Sequence, residues 1–283
     1  MPELPEVEVT RLGLEPALLG TRITGLKLGK PLRWPLNIDP AALLGLQITA
    51  LQRRGKYLLL QTPKGALIVH LGMSGSLRWT PAQDNPAPLS PHDHVELQTD
   101  RGVLRLRDPR RFGALLWNAG ADLLAHPLLR VLGPEPLGAD FDGATLCRAL
   151  QGRSAAIKPL LLSQHIVAGI GNIYACEALF LARIDPRTPA PHLRPADCQR
   201  LAAAVRDTLQ RAVALGGSSL RDFAHSDGEL GYFQMQAQVY GRAGLPCRVC
   251  ATAIRQIVQG QRSTYFCAKC QKILKPKARA GIR

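Results

Sequence analysis

Two groups of side chains in this 283-residue chain carry reactive chemistry. The first is the opening Met1-Pro2-Glu3-Leu4-Pro5-Glu6. A small second residue permits removal of Met1, which leaves Pro2 as a free secondary amine. An α-amino group has an unperturbed pKa of roughly 7.7–8.0, against about 10.4 for lysine, so far more of it is unprotonated at neutral pH. An amine of this kind attacking a carbon at the aldehyde level, such as a sugar C1′, forms an iminium, an electron sink for elimination. From a secondary amine that iminium stays cationic without a proton. Glu3 and Glu6 place carboxyl groups beside the amine, able to serve as acid or base or to orient it. The same carboxylates suit the positive end of a helix that starts here, so residue types alone leave both roles open.

The second group is Cys247-x2-Cys250 and Cys267-x2-Cys270, separated by sixteen residues. Two knuckles at this spacing offer four thiolates in a tetrahedron, which suits one zinc ion. A closed shell of four cysteines leaves no open position, so the metal is structural and folds about 30 residues too few to bury a core alone. Cys147, Cys176 and Cys198 have no such pattern and read as small core or surface residues. Seven cysteines, an odd number, argue for reduced thiols or metal ligands over a disulfide framework.

The elements that must carry these groups follow from pattern and punctuation. Pro5 with Glu6 and Glu8 begins a first helix, and Gly20 closes it. Short strands are expected at Ile23–Leu28, Gln47–Arg53, Tyr57–Gln61, Ala66–Leu71, His94–Gln98, Val103–Arg107 and Ala114–Trp117, with the Gly and Pro spacing of a sandwich or barrel. Thr80–Pro91 holds four prolines and reads as a loop. Gly133–Gly138 reads as a linker, after which the period turns helical. One helix begins near Gly171-Asn172, and another buries Leu201, Val205, Leu209 and Ala212 and stops at Gly216-Gly217.

Composition limits what the assembly can be. Hydrophobic residues at 46%, charged residues at 20% and a mean hydropathy of −0.02 exclude a disordered chain. No apolar run approaches the ~18 residues of a membrane span, and the acidic, proline-rich start is not a signal peptide, so no membrane partner is expected. The net charge is +15, and from Tyr240 onward there are ten Lys or Arg and no Asp or Glu. A basic end this concentrated reads as a surface for nucleic acid.

The start MPELPEVE, with HLGMSG at 70–75, DPRRFG at 108–113, GIGNIYACEAL at 169–179 and the cysteine module, resembles formamidopyrimidine-DNA glycosylase, over essentially the whole chain and in the family's order. The resemblance implies a multidomain α+β fold. An N-terminal β-sandwich with flanking helices would span 1–132, a helix–two-turn–helix domain 133–239, a zinc finger 240–275 and a basic tail 276–283. It implies a bifunctional glycosylase and lyase of base excision repair acting on double-stranded DNA with oxidised purines or abasic sites. Pro2 would be the nucleophile, Glu3 the acid, Glu6 a supporting carboxylate and Lys56 a lysine at the lesion's backbone.

Met73, Arg110 and Phe112 match the residues that fill the void left by a flipped base, which has to leave the stack for chemistry at C1′. His70, Arg111, Lys158, Asn172 and Arg262 match contacts to DNA phosphates. Ser218–Tyr232, with His225, resembles the loop over the flipped purine. The family further implies a cytoplasmic, nucleoid-associated bacterial monomer. Endonuclease VIII-type enzymes share the architecture and prefer oxidised pyrimidines; Leu4-Pro5, the methionine of HLGMSG and DPRRF favour the purine enzyme.

Overall fold

Helix α1 (Leu4–Leu18) starts where Glu3 and Glu6 close a reciprocal capping box, with proline in the first turn. It buries Val7, Leu14 and Leu18, each worth about 1.5–3 kcal/mol when withdrawn from water. A computed structural model describes residues 1–120, 122–217 and 236–276. In it the chain divides into two units, one built from Met1–Arg130 and rejoined at Ala212, the other from Val131–Arg211 and the C-terminal part of the chain.

The first unit is an antiparallel sandwich. Its strands are β1 (Ile23–Leu28), β2 (Ala50–Arg54), β3 (Tyr57–Thr62), β4 (Gly65–His70), β5 (Ser76–Pro81), β6 (Asp93–Thr99), β7 (Gly102–Arg107) and β8 (Ala114–Ala119). One sheet runs β1-β6-β7-β5 and the other β2-β3-β4-β8. Their inner faces supply one core, with Leu77, Val95, Leu97, Leu104 and Leu106 from the first sheet and Leu51, Leu58, Leu60, Leu67, Val69 and Leu115 from the second. Alternation of period two sends these side chains to the same face along each strand.

Two strand expectations shift. Gln47 and Ile48 bond to Arg22 and Thr21, the chain that follows α1, so β2 begins only at Ala50. Strand β5 lies partly in the stretch read as a proline loop. It pairs with β7 at the edge of its sheet, where Pro81 can end a strand without costing a central ladder bond.

The second unit is helical. After the short α2 (Pro127–Arg130) come α3 (Gly143–Leu150), α4 (Ile157–Leu162), α5 (Asn172–Leu181) and α6 (Pro195–Ala214). Asp142 caps α3 by accepting the Thr145 N–H at 2.7 Å. Helix α5 is buried from Ile173 to Phe180, which suits its apolar composition on every side. Leu201, Val205, Leu209 and Ala212 form the buried face of α6, as their spacing requires. The stretch at 133–138 is tied down rather than slack: the Gly133 N–H donates to Gln164 O at 2.7 Å, and the Ala168 N–H donates to Pro134 O at 3.0 Å.

The cysteine module adds the hairpin β9 (Arg255–Gln259) and β10 (Arg262–Phe266). Gly260 and Gln261 both take positive φ at its tip, the pattern of a two-residue turn that matches strand twist. The loop Ser218–Tyr232 and the tail from residue 277 lie outside the described residues.

Candidate active site and nucleic-acid interface

The amine end is held from behind. The Glu3 N–H donates to Glu6 Oε2 at 2.8 Å, and the Glu3 carboxylate accepts the Glu6 N–H. Glu3 is 2% exposed and Glu6 fully buried, and Pro2 is buried next to them. Helix α1 is fastened to β2 through Glu8, whose carboxylate meets Arg53 Nε at 2.7 Å, and through Arg11, which reaches Leu51 O at 3.3 Å. Strand β2 turns into β3 through Gly55-Lys56, so the same anchoring sets both Pro2 and Lys56.

His70 ends β4 and packs against Tyr57, with ring centroids 4.8 Å apart and the ring planes tilted by 47°. Burial, helped by the positive charges of Lys56 and Arg33, pushes its imidazole down to about 4, against a smaller opposing pull from Asp108. His70 Nδ1 accepts the Gly72 N–H at 3.0 Å, so the ring proton of the neutral form sits on Nε2. A neutral imidazole with Nε2–H is a hydrogen-bond donor that brings no charge.

The loops carrying Met73 and Arg110–Phe112 are stitched together by Asp108, which is fully buried. Its Oδ1 accepts the Ser74 hydroxyl at 2.7 Å, and its Oδ2 accepts the Gly113 N–H at 2.7 Å. Ser74 Oγ in turn accepts the Arg110 N–H at 3.2 Å. Gly72, at φ +62°, lies so close to the Phe112–Gly113 backbone that a Cβ there would collide with it. Beyond this knot Phe112 is 42% exposed and the Arg110 guanidinium lies over its ring at 4.9 Å. Arg111 is exposed in left-handed conformation at φ +57°, while Met73 is half-buried. An exposed aromatic and a planar cation are thus presented together on a rigid base.

In the second unit Lys158 is fully buried. Its ammonium donates to Asn172 Oδ1 at 2.6 Å, Thr264 Oγ1 at 2.8 Å and Ser263 O at 3.4 Å. Asn172 Nδ2 also donates to Ser263 O at 2.9 Å. Lys158 therefore fastens the start of α5 to β10, and β10 begins with the exposed Arg262 beside the hairpin tip.

The four cysteines converge, with Sγ atoms all within 4.8 Å of one another. Cys247 to Cys270 is 3.9 Å and Cys250 to Cys267 is 3.4 Å, near the ~3.8 Å edge of a tetrahedron with Zn–S of about 2.3 Å. The donor set and spacing fit zinc in a closed, structural shell. Cys176 and Phe180 of α5 share a core with Val239, Cys247, Ile254 and Cys267, so the module is built onto that helix.

Three family models match the chain in order: the formamidopyrimidine-DNA glycosylase N-terminal domain over residues 1–115, the H2TH domain of the same enzyme over 132–224, and the zinc finger found in FPG and IleRS over 244–273. The chain belongs to the formamidopyrimidine-DNA glycosylase family. A relative of that name from Acidovorax sp. strain JS42 is 55% identical over 273 residues, covering 96% of this chain and all of its own. Another, from Burkholderia thailandensis, is 52% identical over 276 residues with the same coverage.

Among solved structures, the MutM (Fpg) protein of Thermus thermophilus superimposes with a TM-score of 0.85 at 41% identity, over 95% of this chain and 98% of that one. The Lactococcus lactis Fpg in complex with DNA containing an abasic site gives 0.86 at 35% identity, over 95% and 99%. The matching zinc-finger model and the converging thiolates establish one structural zinc in this glycosylase family member.

Three residues inside the sequence motifs hold structural roles that their types and spacing do not announce. Asp108 and Ser74 carry the knot described above. Glu177, buried on α5, accepts the backbone N–H groups of Gln238, Val239 and Tyr240 at 2.8, 2.9 and 2.8 Å and so anchors the chain entering the zinc finger. The signal available was a carboxylate at an otherwise apolar position, since buried charges are nearly always hydrogen-bonded.

Proposed function

We propose that this chain is a bifunctional DNA glycosylase and abasic-site lyase of base excision repair, acting on duplex DNA that carries oxidised purines such as 8-oxoguanine and formamidopyrimidines. The observation that carries this reading is the buried Glu3–Glu6 capping box directly behind Pro2. It fixes an amine beside two carboxyl groups at the start of a rigid helix.

With Met1 removed, the Pro2 nitrogen attacks C1′ of the extruded nucleotide. The C1′–N glycosidic bond breaks, and the base leaves with its electron pair and a proton. Glu3 is the acid nearest this exchange, and Glu6 holds Glu3 in place. The nitrogen gives up its proton, the C1′–O4′ bond opens with a proton passing to O4′, and the resulting Pro2 iminium acidifies C2′. Loss of that proton expels the 3′ phosphate by β-elimination, and a second elimination expels the 5′ phosphate, leaving a one-nucleotide gap. Lys56 sits at the lesion's backbone.

Met73, Arg110 and Phe112 occupy the space the base vacates. Methionine adapts its shape, phenylalanine wedges between bases, and arginine offers planar donors to the orphaned partner. His70 and Arg111 contact phosphates from the first unit. Asn172 and Arg262 do so from the second, with the N-terminal amides of α5 adding to the anion site and Lys158 fixing its geometry. The protein acts as a monomer in the bacterial cytoplasm, at the nucleoid.

The test compares the processed protein with a form bearing extra residues ahead of Pro2. Borohydride trapping on an 8-oxoguanine–cytosine duplex should give a covalent adduct only with the processed form, while both bind the duplex. Full cleavage by the extended form would remove Pro2 as nucleophile.

A further inference from the structure

We infer that Gly217 is a positioning residue for the Glu3–Glu6 pair, because the end of α6 lays bare backbone against Glu6 where any side chain would displace the carboxylate. This rests on the assignment of Pro2, Glu3 and Glu6 to the chemistry. Helix α6 closes with two left-handed glycines: the Gly216 N–H returns to Val213 O at 3.0 Å and the Gly217 N–H to Ala212 O at 2.7 Å. That closure delivers Gly217, at φ +78°, to α1. A Cβ on Gly217 would stand 3.1 Å from Glu6 Oε1, 3.3 Å from its Cγ and 3.5 Å from its Cα.

Glu6 has nowhere to retreat. It is fully buried, its Oε2 is held by the Glu3 N–H at 2.8 Å, and its backbone belongs to the first turn of α1. A push on Glu6 is therefore passed through the capping box to Glu3, the residue bonded to Pro2. An exposed carboxylate would swing aside; this one transmits the displacement.

The chain contains its own control. Gly45 takes nearly the same backbone conformation, at φ +77°, with nothing within 4 Å of where its Cβ would be. Alanine at either site meets the same left-handed backbone penalty, and only Gly217→Ala also meets a carboxylate. Asparagine tolerates left-handed backbone, so Gly217→Asn adds the Cβ with less strain.

The experiment measures unfolding temperature, affinity for an undamaged duplex and the single-turnover excision rate at saturating enzyme on an 8-oxoguanine–cytosine duplex. The proteins are the wild type, Gly45→Ala, Gly217→Ala and Gly217→Asn. Both Gly217 variants should bind the undamaged duplex as Gly45→Ala does, yet excise on the order of tenfold more slowly or worse, as small misplacements of reacting groups produce. Equal excision rates in the Gly45 and Gly217 variants would overturn the inference. Absence of a borohydride-trapped adduct with the wild type would instead overturn the Pro2 assignment beneath it.

Discussion

His70 shows how a residue's surroundings decide its chemistry. Its motif position marks it as a phosphate contact, for which a cationic imidazole would be the simple choice. Burial and the nearby Lys56 and Arg33 keep it neutral instead. The pKa falls from about 6.5 in the unfolded chain to about 4 in the folded one, so between these values the unfolded chain binds the extra proton. The stability His70 lends is complete above about pH 6.5 and is lost as pH falls toward 4. In His70→Asn, whose amide oxygen can take the place of Nδ1 in accepting the Gly72 N–H, the drop in unfolding temperature between pH 7 and pH 5 should shrink. It should not vanish, because burial lowers His94 as well. An unchanged pH slope would acquit His70.

Arg110 yields a second prediction at this scale. Arginine has only donors, and an orphaned cytosine offers O2 and N3 as adjacent acceptors, whereas adenine pairs an acceptor with a donor. A bidentate fit discriminates by about 1–3 kcal/mol. Arg110→Ala should thus lose much of the preference for lesions opposite cytosine over adenine in single-turnover excision. Arg111→Ala should slow both duplexes alike, as a phosphate contact would.

The elements matter through the joints between them. The two loops that carry Met73 and Arg110–Phe112 follow β4 and β7, strands of different sheets, and Asp108 is the joint. Removing its carboxylate leaves the Ser74 hydroxyl and the Gly113 N–H without their acceptor. Each buried group so orphaned costs roughly 1–3 kcal/mol. Asp108→Ala should lower the urea midpoint accordingly. Phe112→Ala should move the midpoint far less, since Phe112 is exposed and packs little. An Asp108→Ala midpoint equal to the wild type would show that the loops hold without the knot. Hairpin β9–β10 has the matching joint in Lys158, which the family resemblance puts near the DNA backbone and which is here fully buried, bonded to Asn172 and Thr264.

At the scale of the molecule the zinc and the sandwich answer to different cores. The sandwich core contains none of the zinc ligands, while the zinc ligands share theirs with α5. All three tryptophans, Trp34, Trp79 and Trp117, lie in the first unit. Chelation, or Cys250→Ser, should therefore leave tryptophan emission close to native while affinity for duplex DNA collapses and the ellipticity of the helical unit declines. Emission shifting in step with metal loss would mean that the two cores fold as one. The ten cationic residues from Tyr240 onward, against no acidic ones, add the expectation of steep weakening with salt.

Structure encoded in contiguous residues was legible without coordinates. The helix start at Pro5 and Glu6, the cysteine knuckles, the 3.6-residue period of α6 and most of the strands are local patterns, and local patterns follow from propensity, spacing and ligand geometry. Even there the reading blurred at Gln47–Ile48 and Ser76–Pro81, whose partners lie elsewhere in the chain. What the tertiary structure alone decided is which polar groups are withdrawn from water and who satisfies them. Asp108 meets Ser74 across 34 positions, Lys158 meets Thr264 across 106, and Glu177 meets Val239 across 62. No window of sequence holds such pairs. The cost of burying an unpaired charge or amide makes them obligatory once the fold has closed, and so the same residue types that look like surface contacts in the sequence become the fixings that hold the contacts in place.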